Sequence, residues 1–330
     1  MLIFNHIIEA LLLSHNSCVP KITDLPSSPA EPISNDQQQQ QQRQQPLLLN
    51  KDQEIAKNHL PLVIWHGMGD SYNSSSMQSV ESLLHDYIPD LFIHSVYIEE
   101  NSRKDAEASI IGDVMEQTLQ VCDQLNAIPE LQNESGFNAI GFSQGGLFLR
   151  GAIEICGLNV KNLITYGSPH QGFIDLPKCE DGDWFCQKKN DFLKKQMYKP
   201  NIQNSVVQAQ YFRDVKNFDQ YIESSNYLKF VNNEFVKDIS YYDNFSKLEK
   251  FVMIMFLKDE TLVPKHSAWF FDTDPTTGEM IKLEDTEGYK NDLIALKKLH
   301  DQKKIEFLAI NGEHMEISED SFKLIAHDYL

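Results

Sequence analysis

One short motif in the middle of the chain carries a residue that could do nucleophilic chemistry. It is the G-x-S-x-G sequence Gly141-Phe142-Ser143-Gln144-Gly145. A serine between two glycines suits a sharp turn from a strand into a helix, because glycines lack the Cβ atoms that would collide there. Such a turn exposes the serine hydroxyl at the edge of a sheet. Ser143 is therefore the predicted nucleophile, and the alternative is a tight turn whose serine only caps the helix.

A nucleophilic serine needs a base to take its proton and an acid to orient that base. On folds that use G-x-S-x-G, the acid and then the histidine follow the serine along the chain, each after a later strand. The apolar run 251–257 is followed by Lys258, Asp259 and Glu260. Asp259 is the predicted acid because it lies directly beyond the strand, and Glu260 is the alternative.

The predicted base follows the last strand-like run, residues 305–310. That run leads into Asn311-Gly312-Glu313-His314, and a helical pattern closes the chain after it. His314 alone combines this position with the required order. The other histidines beyond the acid lie too close to it, in a polar helix, or in the closing helix: His266, His300 and His327 respectively.

Nucleophilic attack on a carbonyl group also requires backbone N–H groups that bind the developing oxyanion. One predicted donor is Gln144, the residue after the nucleophile. The other is Met68, in the glycine-containing turn that follows the first strand of the body; the alternative for this segment is a plain turn. The histidines show no H-E-x-x-H spacing, so we expect no metal and no cofactor.

The elements that would position these residues alternate between strand and helix, which predicts a mostly parallel central sheet flanked by helices. An insertion at about 175–247, rich in polar and aromatic residues with helical fragments, interrupts this alternation and predicts a helical cap. A final helix begins directly after Ser318, which is its predicted N-cap. The strand and helix candidates, in chain order, are 62–65, 93–98, 105–125, 137–142, 147–155, 162–166, 251–257 and 305–310.

Residues 1–58 differ from the rest in composition. Met1–Leu13 is apolar but lacks a basic start, so it is either a weak signal sequence or a leader without function. The following segment contains Pro26, Pro29 and Pro32, and then eight glutamines between Gln37 and Gln45. This composition predicts a disordered linker that we place outside the fold. The predicted hydrolase domain therefore covers residues 59–330.

Composition excludes some classes of protein. The chain has 330 residues, 41% of them hydrophobic, and a formal net charge of −19. Such a charge argues against nucleic acid as a partner. No apolar run reaches the roughly 18 residues of a membrane span. We expect a monomer.

Cysteines and glycosylation triplets favour the secretory pathway. Besides Cys18 in the leader there are four cysteines, which allow three pairings, and spacing does not choose among them. They are Cys122, Cys156, Cys179 and Cys186, and the acceptor triplets begin at Asn73, Asn133 and Asn244.

Taken together, these motifs resemble the palmitoyl-protein thioesterase family, in particular its lysosomal branch. The resemblance covers about residues 61–330 and rests on segments 62–71, 138–150, 170–172, 251–259 and 312–319. It implies an α/β-hydrolase fold, the Ser143–Asp259–His314 triad and Met68 and Gln144 as oxyanion donors. It also implies an acyl groove beneath the cap, and disulfides Cys122–Cys156 and Cys179–Cys186. The family's vicinal cysteines are replaced here by Tyr72 and Asn73.

The activity that this resemblance implies is hydrolysis of long-chain acyl thioesters from S-palmitoylated proteins, in the lysosome or after secretion. Two alternatives remain open. The same residues would serve a lipase or carboxylesterase that acts on oxygen esters. The other alternative is not an enzyme: it is a catalytically inactive hydrolase fold that binds lipidated proteins.

Overall fold

The computed structural model describes residues 19–23, 59–176 and 184–330, with the backbone alone for 184–186. Six strands form the central sheet in the order β3-β2-β4-β5-β6-β9, and each neighbouring pair is parallel. The strands of the described residues are β1 (Lys21–Thr23), β2 (Leu62–Trp65), β3 (Ile93–Ser95), β4 (Phe137–Phe142), β5 (Val160–Tyr166), β6 (Lys250–Phe256), β7 (Asp272–Thr273), β8 (Met280–Ile281), β9 (Ile305–Ile310) and β10 (Glu316–Ser318). The predicted parallel sheet is confirmed.

Alternating side chains along each strand build two cores, one on each face of the sheet. In β6, Val252 and Ile254 join one core while Phe251 and Met253 join the other. Both faces are apolar because helices cover both, as a parallel sheet requires. The strands are thereby fixed in register, and the loops at their carboxyl ends are held at one edge.

Helices of the described residues cover both faces of the sheet. They are α1 (Ser75–Tyr87), α2 (Ser102–Ala108), α3 (Val114–Asn126), α4 (Gln144–Cys156), α5 (Trp184–Lys194), α6 (Pro200–Gln203), α7 (Phe218–Ser224), α8 (Leu228–Val231), α9 (Ile239–Phe245), α10 (Glu287–Lys290), α11 (Leu296–Asp301) and α12 (Glu319–Tyr329). The closing helix α12 begins as predicted, with the Ser318 hydroxyl accepting from the amide of Ser321.

The prediction of one continuous helix over 105–125 is wrong. The structure divides this stretch into α2 and α3, with residues 109–113 between them. Asp113 caps α3 by accepting from the amides of Met115 and Glu116. The amide of Gly112 donates to the carbonyl of Ser205 instead of continuing the helix, at 3.0 Å. A contact with the distant cap segment thus breaks a pattern that is locally helical.

Between β5 and β6 the described residues form α5 to α9 and short 3-10 turns, in agreement with a helical insertion. One helical piece of this insertion is a 3-10 helix, Val207–Tyr211. A second insertion, between β6 and β9, was not predicted. It contains the β7–β8 hairpin and the short helices α10 and α11.

Three residues of the segment predicted to lie outside the fold are part of a strand. Lys21–Thr23, placed outside the fold by composition, pairs in parallel with Glu316–Ser318, and the amide of Lys21 donates to the carbonyl of Met315 at 2.8 Å. The rest of the predicted linker lies outside the described residues.

One of the two disulfides implied by the resemblance is present. Cys122 of α3 and Cys156 at the end of α4 are bonded, with their Cα atoms 6.3 Å apart. The bond ties together two helices whose buried side chains share one core. Cys179–Cys186 lies outside the residues whose side chains the structure describes.

Candidate active site

The backbone turns sharply at Ser143, between β4 and α4. Its φ of 52° and ψ of −125° lie outside the regions that non-glycine residues normally occupy. Neighbouring glycines make this turn possible. A Cβ on Gly145 would collide with the carbonyl oxygens of Trp65 and His66, and one on Gly141 with the backbone of Gly146. The sequence thus forces the serine into the strained strand-to-helix turn expected of a nucleophile.

His314 hydrogen-bonds both of the other residues predicted for the site. Its Nδ1 lies 2.5 Å from Oδ2 of Asp259, and its Nε2 lies 3.0 Å from Oγ of Ser143. A carboxylate can only accept, so Nδ1 carries the proton and Nε2 presents its lone pair to the serine hydroxyl. All three residues are buried, with exposed fractions of 7%, 8% and 2% for Ser143, Asp259 and His314.

The Asp259 carboxylate is held by the turn in which it lies. Its Oδ1 accepts from the amides of Thr261 and Leu262, at 2.8 and 2.9 Å, which leaves Oδ2 for the histidine. The loops of acid and base are also joined directly, because the amide of Lys258 donates to the carbonyl of Gly312 at 3.0 Å. The imidazole is therefore oriented by a rigid carboxylate.

The loop after β2 packs against the start of α4, so the two predicted oxyanion donors belong to neighbouring segments. The carbonyls of Trp65 and His66 lie over Gly145 so closely that no side chain fits between them. In that loop the amide of Gly69 already donates to Oγ of Ser109, at 2.7 Å. Met68 is buried, with 4% of its surface exposed.

A buried polar network that the sequence analysis missed ties the nucleophile turn to the cap. The Gln144 side chain donates to the carbonyl of Ser109 at 2.9 Å. Its Oε1 accepts from Nε2 of Gln208 at 2.9 Å and from the hydroxyl of Tyr211 at 3.0 Å. Gln208 and Tyr211 lie 64 and 67 positions from Gln144, so no local signal marked these contacts.

A second missed residue is Asp105, which reads in the sequence as a polar position of a helix. It is fully buried, and its Oδ2 lies 3.1 Å from Nε2 of His66, in the loop that carries Met68. The two residues are 39 positions apart. A buried carboxylate facing a buried histidine is therefore part of this edge of the sheet.

The residues considered as alternatives to the predicted acid and base are exposed or have other hydrogen-bond partners. Glu260 is exposed, whereas Asp259 is buried. The other histidines hydrogen-bond to residues outside the site: His266 to Thr273, His300 to Tyr289, and His327 to Asp328.

Within residues 19–23, 59–176 and 184–330, no three histidine, cysteine, aspartate or glutamate side chains are grouped so that they could hold a metal ion. No helix there has both the length and the apolar character needed to cross a bilayer.

The three predicted glycosylation sites differ in exposure. Asn73 and Asn133 are exposed. Asn244 is half-buried, and its Nδ2, the atom that would carry a glycan, donates to the carbonyl of Glu154 at 2.9 Å. Nδ2 of Asn133 also donates to a carbonyl, that of Glu130, at 2.9 Å, but this side chain is exposed. Glycan attachment at Asn73 and Asn133 stays a prediction, and partial burial together with its contact disfavours Asn244.

The parallel sheet, its covering helices and the strained serine turn define the chain as an α/β-hydrolase. Residues 61–314 match the model of the palmitoyl protein thioesterase family. The chain belongs to that family.

Named relatives agree with this assignment. The chain is similar to Palmitoyl-protein thioesterase 1 of Caenorhabditis elegans, with 36% identity over 79% of this chain and 88% of the relative. It is 30% identical to Palmitoyl-protein thioesterase 3 of Dictyostelium discoideum, over 78% of this chain and 85% of the relative. A more distant relative is Lysosomal thioesterase PPT2 homolog of Drosophila melanogaster, at 27% identity over 68% and 75% of the two chains.

Proposed function

We propose that this protein hydrolyses long-chain acyl thioesters on the cysteines of S-palmitoylated proteins, with Ser143 as nucleophile, His314 as general base and Asp259 as the orienting acid. The observation that carries the proposal is the chain of hydrogen bonds from Asp259 through His314 to Ser143 in a member of the palmitoyl protein thioesterase family. Membership of that family favours a fatty-acyl thioester as the substrate.

The chemical steps follow from the orientation of the imidazole. His314 Nε2 takes the proton of the Ser143 hydroxyl as its oxygen attacks the thioester carbonyl carbon. The amides of Met68 and Gln144 donate to the oxyanion that forms. The C–S bond then breaks, and the thiolate leaves easily because the ordinary pKa of a thiol is only about 8.5. The proton on His314 passes to the departing sulfur, which returns the imidazole to its neutral form. Water then gives a proton to His314 as it attacks the acyl-enzyme carbonyl, and the imidazolium returns that proton to Ser143 Oγ as the fatty acid leaves. Asp259 stabilises the imidazolium during both steps.

The cap supplies the second wall of the proposed acyl groove. Tyr211 of the cap packs against Phe148 of α4, with ring centroids 6.0 Å apart, while its hydroxyl binds the side chain of Gln144. Phe173 packs against Tyr211 from the β5 side at 5.5 Å. These buried rings make the interior next to the nucleophile turn apolar, which suits an apolar substrate chain.

A two-substrate assay tests the proposal. The pure protein should hydrolyse a palmitoyl thioester faster than the matched palmitoyl oxygen ester, and Ser143→Ala should abolish both activities while its circular dichroism spectrum stays that of the wild type. A faster reaction with the oxygen ester would favour the lipase or carboxylesterase alternative. Unchanged thioester hydrolysis by Ser143→Ala would refute the nucleophile.

We also propose that the protein works in the lysosome. The support is the name of the Drosophila relative, the Cys122–Cys156 disulfide and two exposed acceptor asparagines. The full-length chain with a carboxyl-terminal tag should enrich with lysosomal marker enzymes on cell fractionation. Enrichment with the cytosol would contradict this location.

A further inference from the structure

His66 lies directly after β2, at the start of the proposed oxyanion loop, and only 2% of its surface is exposed. Both of its ring nitrogens have close partners. Nδ1 lies 2.9 Å from the carbonyl oxygen of Gly67, and Nε2 lies 3.1 Å from Oδ2 of Asp105. A backbone carbonyl and a carboxylate are both acceptors, so each contact requires a proton on the imidazole nitrogen.

A neutral imidazole cannot satisfy this arrangement, because it carries only one N–H. One buried nitrogen lone pair would then face an oxygen lone pair at about 3 Å, an unmade hydrogen bond that is expensive away from water. From this geometry we infer that His66 is held as an imidazolium ion, paired with Asp105, and that this cation positions and polarises the Gly67–Met68 peptide for oxyanion binding. His66 is thus a positioning residue that acts through the backbone.

The link to catalysis is a single peptide unit. The carbonyl of Gly67 and the N–H of Met68 belong to the same planar trans peptide and point in opposite directions. A donor that fixes the carbonyl therefore fixes the direction of the N–H that we propose as an oxyanion donor. Hydrogen bonds in series also polarise one another, so a cation on the carbonyl strengthens the N–H as a donor. The inference rests on the proposed function for this last step only.

The surroundings of the Asp105 carboxylate keep it ionised beside this cation. Its Oδ2 also accepts from the amide of Tyr72 at 2.9 Å, and its Oδ1 accepts from the amide of Ile98 at 2.7 Å. Burial alone would raise the pKa of Asp105, but His66 and these amides lower it overall. A carboxylate with this many donors is a fixed negative charge.

The charges that act on His66 come from two elements. Asp105 faces it from α2, and Asp70 acts on it from its own loop. Asp70 is itself held by the amide of Ser71 at 2.8 Å and the hydroxyl of Ser76 at 3.0 Å. Burial by itself would lower the pKa of His66, but the hydrogen bond and charge of Asp105, together with the Gly67 carbonyl and the charge of Asp70, outweigh burial and raise it. By contrast, burial lowers the pKa of His94, whose Nε2 contacts Gln124.

Nitrogen-15 NMR of the full chain, labelled at histidine, tests the protonation state without any reference to activity. The His66 signals are assigned by their loss in His66→Gln. We expect both His66 nitrogens to carry protons at a pH where His94 has already become neutral. The inference is overturned if His66 releases its proton at or below the pH at which His94 does, or is neutral at the pH of maximal hydrolysis.

Kinetics test the positioning role. His66→Gln keeps a donor but loses the cation, so we expect kcat to fall by about tenfold or more while KM changes little, because the loss falls on oxyanion binding. Wild-type activity should decline as pH rises through the His66 pKa, and His66→Gln should lack that alkaline decline. His94→Gln, the matched control, should keep the wild-type rate and profile.

An unchanged kcat in His66→Gln, or an alkaline decline at the wild-type pH in that variant, would overturn the positioning role. If the variant does not fold, the His66 signals are assigned in the wild type by through-bond correlation of the ring to its own backbone, and the NMR measurement still decides the protonation state. A wild-type protein that hydrolyses neither thioester nor ester would refute the proposed function, and the His66 signals would remain a separate result.

Discussion

His314 and His170 occupy equivalent places in the fold and have opposite surroundings. Each lies four residues beyond the end of a central strand, β9 and β5 respectively, and each is buried. His314 lies between the Asp259 carboxylate and the Ser143 hydroxyl. His170 contacts the Thr165 hydroxyl through Nε2 at 3.0 Å, and within the described residues its Nδ1 has no hydrogen-bond partner.

The charges around the two histidines differ as well. Burial, and then the positive charge of Arg150, hold the pKa of His170 well below its ordinary value. Its ring stacks on Phe270 with centroids 4.9 Å apart. His170 is therefore a neutral packing group, while His314 can accept a proton and have its charge stabilised. Position beyond a strand brings a side chain to the edge of the sheet, but the groups on its two nitrogens decide what it can do.

The largest effect that this comparison predicts is on hydrolysis by two histidine variants. His314→Ala should lower kcat/KM for a palmitoyl thioester by about 10⁵-fold or more, because the base and nucleophile act as a unit. His170→Gln, measured per mole of folded protein, should lower it by less than about tenfold, equivalent to about 1.4 kcal/mol. Equal losses of kcat/KM in both variants would contradict the different roles given to His314 and His170.

The orienting acid should have the next largest effect. Asp259→Asn should lower kcat by about 10⁴-fold, because an amide that donates toward Nδ1 disfavours the productive tautomer of His314. Glu260→Gln changes the next side chain in the same way at an exposed position, and hydrolysis should stay near the wild-type rate. If the Glu260 variant were the inactive one, the acid would be assigned wrongly.

A smaller effect concerns Glu154, which pairs with Arg150 at 2.9 Å beneath the cap. Burial, only partly offset by Arg150, raises the pKa of Glu154 from 4.5 to about 7. The folded state then holds the proton more tightly than the unfolded chain does. The stability that Glu154 contributes is therefore fully present below about pH 4.5 and is lost as the pH rises toward 7.

Chemical denaturation of Glu154→Gln across that pH window checks this sign. The free energy of unfolding of the wild type, relative to the variant, should fall by roughly 1–3 kcal/mol between the two ends of the window. A difference that stays constant or rises with pH would contradict the raised pKa. Unlike a change at His314, this substitution should leave the chemistry at Ser143 in place.

Residues set by local sterics and strand order could be predicted from the sequence. Ser143 is marked by the glycines that its turn requires, and Asp259 and His314 by their places just beyond apolar runs. The central strands were equally visible, because a buried parallel strand is a short, nearly continuous apolar run.

Features that depend on distant contacts could not be predicted. The partnership of His66 with Asp105 joins residues 39 positions apart, and Asp105 reads locally as a polar helix position. Gln208 reaches Gln144 only because the cap folds over the nucleophile turn. Lys21–Thr23 is too short to signal a strand, and it becomes one only by pairing with β10.

The central claim is that His314, and no other histidine at this edge of the sheet, activates Ser143. The most direct test is the rate of covalent labelling by a fluorophosphonate probe, with the labelled residue located by mass spectrometry. Our account predicts a single label on Ser143 in the wild type and in His170→Gln, and almost none in His314→Ala. Wild-type labelling of His314→Ala, or a label on a residue other than Ser143, would contradict it.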